Sequence, residues 1–159
     1  MEVLTLDLAT FPAGASQVVV EAQPDQIGLD AEVWTGPVRG RLRVEKSGDQ
    51  VTVRGELEAV AHLECVRCLD PVDMAVRAPF QVFAERPSGR HEDYEEELER
   101  DDYMMFHDGR RLDLREQARE TLLLEVPMAP RCRPDCRGLC PRCGANLNQG
   151  PCGCAPPAV

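Results

Sequence analysis

Apolar and polar residues alternate along much of the first 85 residues, with the period of half-buried β-strands. The clearest segment runs from Val51 to Glu64, where apolar residues occupy most odd positions and polar residues most even ones. After Pro71 the phase reverses, and apolar residues occupy the even positions as far as Ala84. We therefore predict two long amphipathic strands joined by a hairpin tip at residues 65–71.

Shorter strand patterns precede this hairpin. Leu4, Leu6 and Leu8 alternate with polar residues, and residues 18–20 form a short apolar run. Turn-forming proline and glycine residues bound both segments. The only tryptophan, Trp34, belongs to a residue type that packs in a core or against a sheet. We expect both segments to be strands and Trp34 to be buried.

Another predicted strand, at residues 38–46, carries a row of arginines. Its apolar residues fall on one face and its arginines on the other: Val38, Leu42 and Val44 against Arg39, Arg41 and Arg43. We interpret the arginine row as a solvated sheet face. A phosphate-binding surface is the alternative.

One helix is predicted downstream of the strands. Asp113 followed by Glu116 resembles a capping box, and the helix should end near Glu125, before Pro127. Three apolar residues share one face at helical spacing: Leu114, Ala118 and Leu122. We expect this face to cover one side of the sheet.

The net charge of -10 is distributed unevenly. Residues 92–102 hold eight acidic residues and one arginine, a balance of -7, so only -3 remains for the rest of the chain. We interpret residues 86–102 as a disordered or mobile acidic loop, with RNA mimicry or partner binding as the alternative. Residues 127–159, in contrast, carry four arginines against one aspartate, a balance of +3.

Six of the eight cysteines lie in this basic tail. Cys140-Pro-Arg-Cys143-Gly144 has the spacing of a zinc knuckle, in which a glycine permits the tight turn. Cys152 and Cys154 follow closely enough to complete a tetrahedron of thiolates. The first predicted zinc site is therefore Cys140, Cys143, Cys152 and Cys154.

The remaining cysteines form a second predicted site. Cys65 and Cys68 lie at the hairpin tip, and Cys132 and Cys136 begin the tail. Together they would tie the tail to the body of the protein. A thioredoxin-like redox pair is disfavoured, because Pro71 and a strand follow the motif instead of a helix. Whether one or two zinc ions bind stays open.

The composition favours a binding protein over an enzyme. Four thiolates fill the coordination shell of zinc and leave no position for catalytic water, which indicates structural zinc. The sequence carries neither a nucleotide-binding motif nor a histidine pattern suited to catalysis. The tail arginines could offset thiolate charge or contact RNA phosphates: Arg131, Arg133, Arg137 and Arg142. With 4% aromatic residues and no basic-aromatic interleaving, single-strand binding by stacking is not expected.

Neither a membrane span nor a secretory signal is evident in the sequence, so we expect a cytoplasmic protein. In a reducing compartment, clustered cysteine pairs favour metal binding over disulfides.

Three segments resemble the YceD family, the large ribosomal RNA subunit accumulation proteins of bacteria and plastids: CVRCLDP, LDLREQARETLLLEVPMAP and CRGLCPRCGANLNQGPCGC. The positions that match the family motifs are Cys65, Cys68, Pro71, Cys140, Cys143, Gly144, Asn146, Leu147, Asn148, Cys152 and Cys154. The resemblance implies a non-enzymatic role in the accumulation of large-subunit ribosomal RNA and in ribosome assembly. It implies partners among that RNA or the ribosomal proteins, and neither a membrane nor a small-molecule substrate.

We therefore predict an α+β protein: a twisted, mostly antiparallel β-sheet or partial barrel, one covering helix and a C-terminal zinc-binding cysteine module. Residues 1–126 would form the β-rich domain, and residues 127–159 a tail packed on or near the 65–71 hairpin. The alternative function is a zinc-stabilised protein-interaction module whose acidic loop binds a basic protein, for example a ribosomal protein.

Overall fold

The computed structural model describes residues 3–87 and 104–154. Within these ranges the regular structure consists of two β-sheets, one α-helix and three short 3₁₀ turns. The strands are β1 (Thr5–Asp7), β2 (Gly14–Ala22), β3 (Trp34–Ser47), β4 (Gln50–Glu64), β5 (Pro71–Glu85), β6 (Met104–Phe106) and β7 (Arg111–Asp113). The helix α1 is Arg115–Glu125, and the 3₁₀ turns are Leu8–Thr10, Pro24–Ile27 and Leu147–Gln149.

The larger sheet has five strands in the order β2-β3-β4-β5-β6. Its first four strands pair antiparallel in sequence order, and the short β6 pairs parallel with β5. The β4–β5 hairpin is in unbroken register from Gln50–Glu85 to Glu64–Pro71, so the two predicted long strands are confirmed. A second sheet pairs β1 with β7. The predicted α+β class with a mostly antiparallel sheet and one covering helix is confirmed, and in the described residues neither sheet closes into a barrel.

The core lies between the larger sheet and α1. The odd positions of β4 face it, with Val51, Val53 and Leu57 at most 1% exposed. From the other side, the predicted apolar face of α1 packs on β5 and β4, and all three of its residues are fully buried: Leu114, Ala118 and Leu122. Trp34 is buried as expected. Burial of each leucine contributes about 1.5–3 kcal/mol to stability.

The N-terminal strand joins this core beside the start of α1. Leu4, Leu6 and Leu8 are all buried, as their alternation predicts. β1 pairs with β7, and the Leu114 amide donates a hydrogen bond to the Leu4 carbonyl oxygen (2.8 Å). The first strand therefore fixes the position at which the helix begins.

The predicted capping box is wrong. Leu114 occupies the N-cap position of α1 and provides no side-chain cap. Asp113 lies one residue too early because it is the last residue of β7, paired with Thr5. Its Oδ1 instead accepts hydrogen bonds from the Arg115 amide (3.0 Å) and Nε (2.9 Å), and the Arg115 side chain lowers the pKa of this carboxyl.

The predicted acidic loop concerns a part of the chain that the structure does not describe. Most of the predicted acidic loop, including all of residues 92–102, lies outside the described residues, as do residues 155–159.

As to membranes, none of the helices in the described ranges combines the length and the hydropathy needed to cross one.

Candidate metal centres

The tip of the β4–β5 hairpin is a tight turn that presents Cys65 and Cys68. The Leu69 amide donates to the Cys65 carbonyl oxygen (2.9 Å), and the Cys65 amide donates to the Asp70 carbonyl oxygen (2.9 Å). Both cysteine side chains are buried, at 0% and 3% exposed. The hairpin alone therefore places two sulfur ligands at one point.

The same turn recurs in the tail at residues 140–145. The Gly144 amide donates to the Cys140 carbonyl oxygen (2.9 Å), and the Cys140 amide donates to the Ala145 carbonyl oxygen (2.8 Å). In both turns the residue after the second cysteine has a left-handed backbone, with φ of +64° at Leu69 and +74° at Gly144. Two segments far apart in sequence thus form the same knuckle.

The hairpin knuckle meets the start of the tail in a first cluster, which we call the hairpin–tail cluster: Cys65, Cys68, Cys132 and Cys136. Its four sulfurs all lie within 4.8 Å of one another. Sγ of Cys65 is 3.7 Å from Sγ of Cys136, and the Cys68–Cys132 distance is also 3.7 Å. A tetrahedral zinc ion with Zn–S bonds of about 2.3 Å separates its sulfurs by about 3.8 Å. The donor set and its spacing therefore fit a four-thiolate metal site.

A second group, the tail cluster, consists of Cys140, Cys143, Cys152 and Cys154. Its sulfurs also lie within 4.8 Å of one another, with Cys140 buried and Cys143 exposed. The Arg142 amide points at Sγ of Cys140 from 3.5 Å. The eight cysteines all lie in the described ranges and none forms a disulfide, and the structure brings them together in the two groups of four that the sequence predicts.

Backbone amides strongly lower the pKa of one cysteine thiol in each cluster. The amides of Cys68 and Cys132 stabilise the charged sulfur of Cys65 and lower its pKa to about 6. The amides of Cys143 and Arg142 do the same for Cys140, whose pKa is also about 6. In contrast, the neighbouring Cys143 sulfur and burial raise the pKa of Cys154 to about 12. Four crowded sulfurs cannot all ionise unless a cation lies between them, so each cluster is suited to a metal ion.

Direct hydrogen bonds also hold the tail on the hairpin. The Val66 amide donates to the Pro130 carbonyl oxygen, and Nη1 of Arg67 donates to the Cys136 carbonyl oxygen, both at 2.9 Å. Nδ2 of Asn146 donates to Oδ2 of Asp70 (2.9 Å). The tail is therefore joined to the hairpin tip through backbone, side-chain and sulfur contacts.

The sequence identified Asn148 only as a position that matches the family motif, and did not predict its contacts. Nδ2 of Asn148 donates to Sγ of Cys136 (3.3 Å), and Oδ1 accepts from the Arg137 amide (2.8 Å). This residue belongs to the 3₁₀ turn between Cys143 and Cys152, so it connects the two clusters. Its matched position in the family motif was the one available signal.

The four tail arginines all lie exposed on the surface: Arg131, Arg133, Arg137 and Arg142. Nε of Arg133 lies 3.5 Å from Oδ1 of Asp135. Arg67 differs from them, since its guanidinium holds a tail carbonyl oxygen. The described geometry therefore gives Arg67 a structural role and leaves the tail arginines accessible to solvent.

The region that contains both clusters also matches a known family. Residues 53–158 match the family model described as large ribosomal RNA subunit accumulation protein YceD. A Zea mays protein named large ribosomal RNA subunit accumulation protein YCED homolog 1, chloroplastic, is 27% identical over 142 residues, which cover 74% of this chain and 45% of that protein.

Two relatives from mycobacteria are more similar in sequence. An uncharacterized protein of Mycobacterium leprae is 38% identical over 127 residues, covering 77% of this chain and 55% of the relative. An uncharacterized protein of Mycobacterium tuberculosis is 39% identical over 111 residues, covering 69% of this chain and 51% of the relative. This chain spans about half the length of the curated relatives that it matches. No solved structure gives a significant match.

Proposed function

Because the chain belongs to the YceD family of large ribosomal RNA subunit accumulation proteins, we propose that it is a non-enzymatic factor that supports accumulation of this RNA and assembly of the ribosome. The match over residues 53–158 is the observation that carries the proposal. It spans the hairpin, the helix and both cysteine clusters. The role implies a location where ribosomes are assembled, the cytoplasm in bacteria.

The factor would act by binding ribosomal RNA of the large subunit or a ribosomal protein, without a membrane or a small-molecule substrate. Both cysteine clusters would hold structural zinc, because four-sulfur tetrahedral sites suit zinc or iron–sulfur centres and the knuckle turn is typical of zinc. A filled shell leaves no position for reactive water. Zinc would therefore stabilise the binding surface without taking part in chemistry.

We also propose that the chain consists of two parts, a domain and a tail. Residues 1–126 would form the β-rich domain, and residues 127–159 a zinc-bound tail. The hydrogen bonds from Val66, Arg67 and Asn146 support a tail held rigidly on the hairpin. A rigid tail presents its exposed arginines, among them Arg131 and Arg142, at fixed positions for a partner.

The test is depletion of the protein in cells, followed by quantification of precursor and mature large-subunit RNA relative to small-subunit RNA. We expect the large-subunit RNA to fall and its precursors to change, with recovery when the wild-type chain is supplied again. Small-subunit RNA serves as the internal control. Unchanged levels of both large-subunit species after depletion would refute the proposed function.

A further inference from the structure

The solvent face of the five-stranded sheet, opposite α1, carries two contrasting rows of side chains. Residues in register across β2, β3, β4 and β5 form each row. One row alternates in charge: Glu21, Arg39, Glu58 and Arg77. A second row contains no carboxylate: Gln17, Arg43, Arg54 and Gln81. The charges of the first row therefore cancel, whereas the second row carries two positive charges.

Ion pairs hold both arginines of the first row but only Arg43 of the second. Nε of Arg39 lies 2.8 Å from Oε2 of Glu21, and Nε of Arg77 lies 3.5 Å from Oε1 of Glu58. Among the described residues, no carboxylate lies within 4.0 Å of the charged nitrogens of Arg41 or Arg54. The first row matches the solvated face that the sequence favours, and the second does not.

The second row also opposes like charges. Arg43 and Arg54 are direct register partners on β3 and β4, where like charges destabilise a sheet. Arg43 is held by Glu45, with Nε 2.8 Å from Oε1, whereas Arg54 has no such pair. An anion bound between the two guanidinium groups would relieve this repulsion.

A shallow depression of about 370 Å³ lies at these arginines. Residues of three strands line it, among them Gln17, Val19, Arg41, Arg43 and Arg54. Gly55 also borders it, and a Cβ atom at this position would overlap the Arg41 carbonyl oxygen. Three arginines therefore border a recess that an extended anionic chain could enter.

An exposed aromatic ring adjoins Arg54. Phe83 on β5 is 40% exposed, and the guanidinium carbon of Arg54 lies 6.0 Å from its ring centroid. The sequence shows no interleaving of basic and aromatic residues, because these two positions meet only across paired strands. The fold thus supplies the combination that binds single-stranded nucleic acid, a cationic track beside a face for base stacking.

We propose that the surface formed by Arg41, Arg43, Arg54 and Phe83 binds single-stranded RNA, with the arginines on phosphates and Phe83 against a base. Arginine suits this role because its planar fork pairs with phosphate oxygens in a bidentate manner. The aromatic ring favours RNA over a lipid headgroup, which offers no base to stack. The inference rests on the proposed function. It places the RNA contact of the protein on the sheet and not on the tail arginines.

The test is fluorescence anisotropy of the full, zinc-loaded chain with a labelled single-stranded RNA of mixed sequence and about 12 nucleotides. The first variant is Arg41→Gln/Arg43→Gln/Arg54→Gln. Its matched control is Arg39→Gln/Arg77→Gln/Arg110→Gln, which removes the same charge from exposed arginines that have carboxylate partners. Thermal unfolding of both proteins verifies that they fold.

We expect the first variant to bind RNA at least about tenfold more weakly and the control to change by less than about threefold. The slope of log affinity against log salt should fall by about 2 in the first variant, since each single-strand phosphate contact contributes about 0.7. Phe83→Leu should weaken binding about fivefold or more without changing this slope, because stacking releases no counterion.

Three results would overturn the inference: no binding by the wild-type chain at low salt, equal loss in the two triple variants, or loss confined to a variant of the four tail arginines. None of these results depends on the effect of depletion on ribosomal RNA in cells. Conversely, unchanged ribosomal RNA after depletion overturns the proposed function even if the surface binds RNA. The two failures are therefore distinguishable.

Discussion

Left-handed backbone at single residues closes both knuckles. Gly144 adopts φ of +74° without penalty, whereas Leu69 adopts +64° in the equivalent position of the hairpin. For a residue with a Cβ atom this conformation costs about 1–2 kcal/mol. The cost at Leu69 is tolerated because the hairpin register and the tail contacts fix the turn from both sides.

Gly138 is the glycine on which tail docking depends most. Its φ is +75°, and an added Cβ would lie 3.1 Å from the Arg67 carbonyl oxygen. We expect Gly138→Ala to lower the free energy of unfolding by about 1–2 kcal/mol, a fall in Tm of roughly 2–8 °C. Gly153→Ala is the control, because a Cβ there meets nothing within 4 Å. Equal melting temperatures for the two variants would show that the tail does not pack closely on Arg67.

Asn148 should tune metal retention through its hydrogen bond to Cys136. The Asn148 amide is the main cause that lowers the pKa of the Cys136 thiol, so protons compete with metal only at lower pH. In Asn148→Ala this pKa rises, and metal should leave at a higher pH as the solution is acidified. Loss of such an outer hydrogen bond weakens metal binding by about 10- to 100-fold.

The measurement is metal release to a colorimetric chelator across a pH series. Gln149→Ala is the matched control, because Gln149 is an exposed neighbour in the same 3₁₀ turn. Identical release midpoints for Asn148→Ala and the wild-type chain would contradict the role assigned to this hydrogen bond.

At the scale of elements, strands that lie in an alternating pattern were predictable, including the short β1, and strands without a visible period were not. The alternation identified the buried faces of β3, β4 and β5 and the bounds of β4 and β5, because one side of each strand faces the core. β3 begins at Trp34, four residues before the predicted start, because its register shifts between Thr35 and Arg39. β6 and β7 have three residues each, too few to display a period. Their pairing depends on contacts far along the chain, with β5 and β1 respectively.

In the candidate site too, local features were predictable from the sequence and long-range contacts were not. Cysteine spacing predicted the membership of both clusters, because ligand number and turn geometry are local constraints. The contacts of Asn148 and the approach of Arg54 to Phe83 were not predictable, since each joins residues brought together by the fold. The capping box failed for a related reason: pairing of β7 with β1 placed Asp113 inside a strand.

Helix α1 should contribute strongly to stability through its buried face. Leu122 is fully buried against the sheet, whereas Leu124 on the same helix is 84% exposed. We expect Leu122→Ala to lower the free energy of unfolding by about 2–5 kcal/mol. Leu124→Ala should change it by less than about 0.5 kcal/mol. Urea unfolding followed by circular dichroism measures both; similar losses would mean that the helix is not oriented as described.

At the scale of the whole molecule, the main core does not reach the tail, and the hairpin–tail cluster supplies the buried contacts there. Cys65, Cys68 and Cys136 form a small buried cluster of their own, separate from the main core beneath α1. A metal ion there would link the hairpin tip to the tail and hold the two as one surface. Tail position should therefore depend on the hairpin cysteines.

Zinc stoichiometry of the protein purified without added metal tests this account most directly. The comparison includes the wild-type chain, Cys65→Ser/Cys68→Ser and Cys152→Ser/Cys154→Ser. Structural zinc sites bind with an apparent free energy on the order of 10 kcal/mol, so both ions should survive purification. We predict two zinc ions in the wild-type chain and one in each double variant. One zinc ion in both the wild-type chain and Cys65→Ser/Cys68→Ser would contradict the hairpin–tail site.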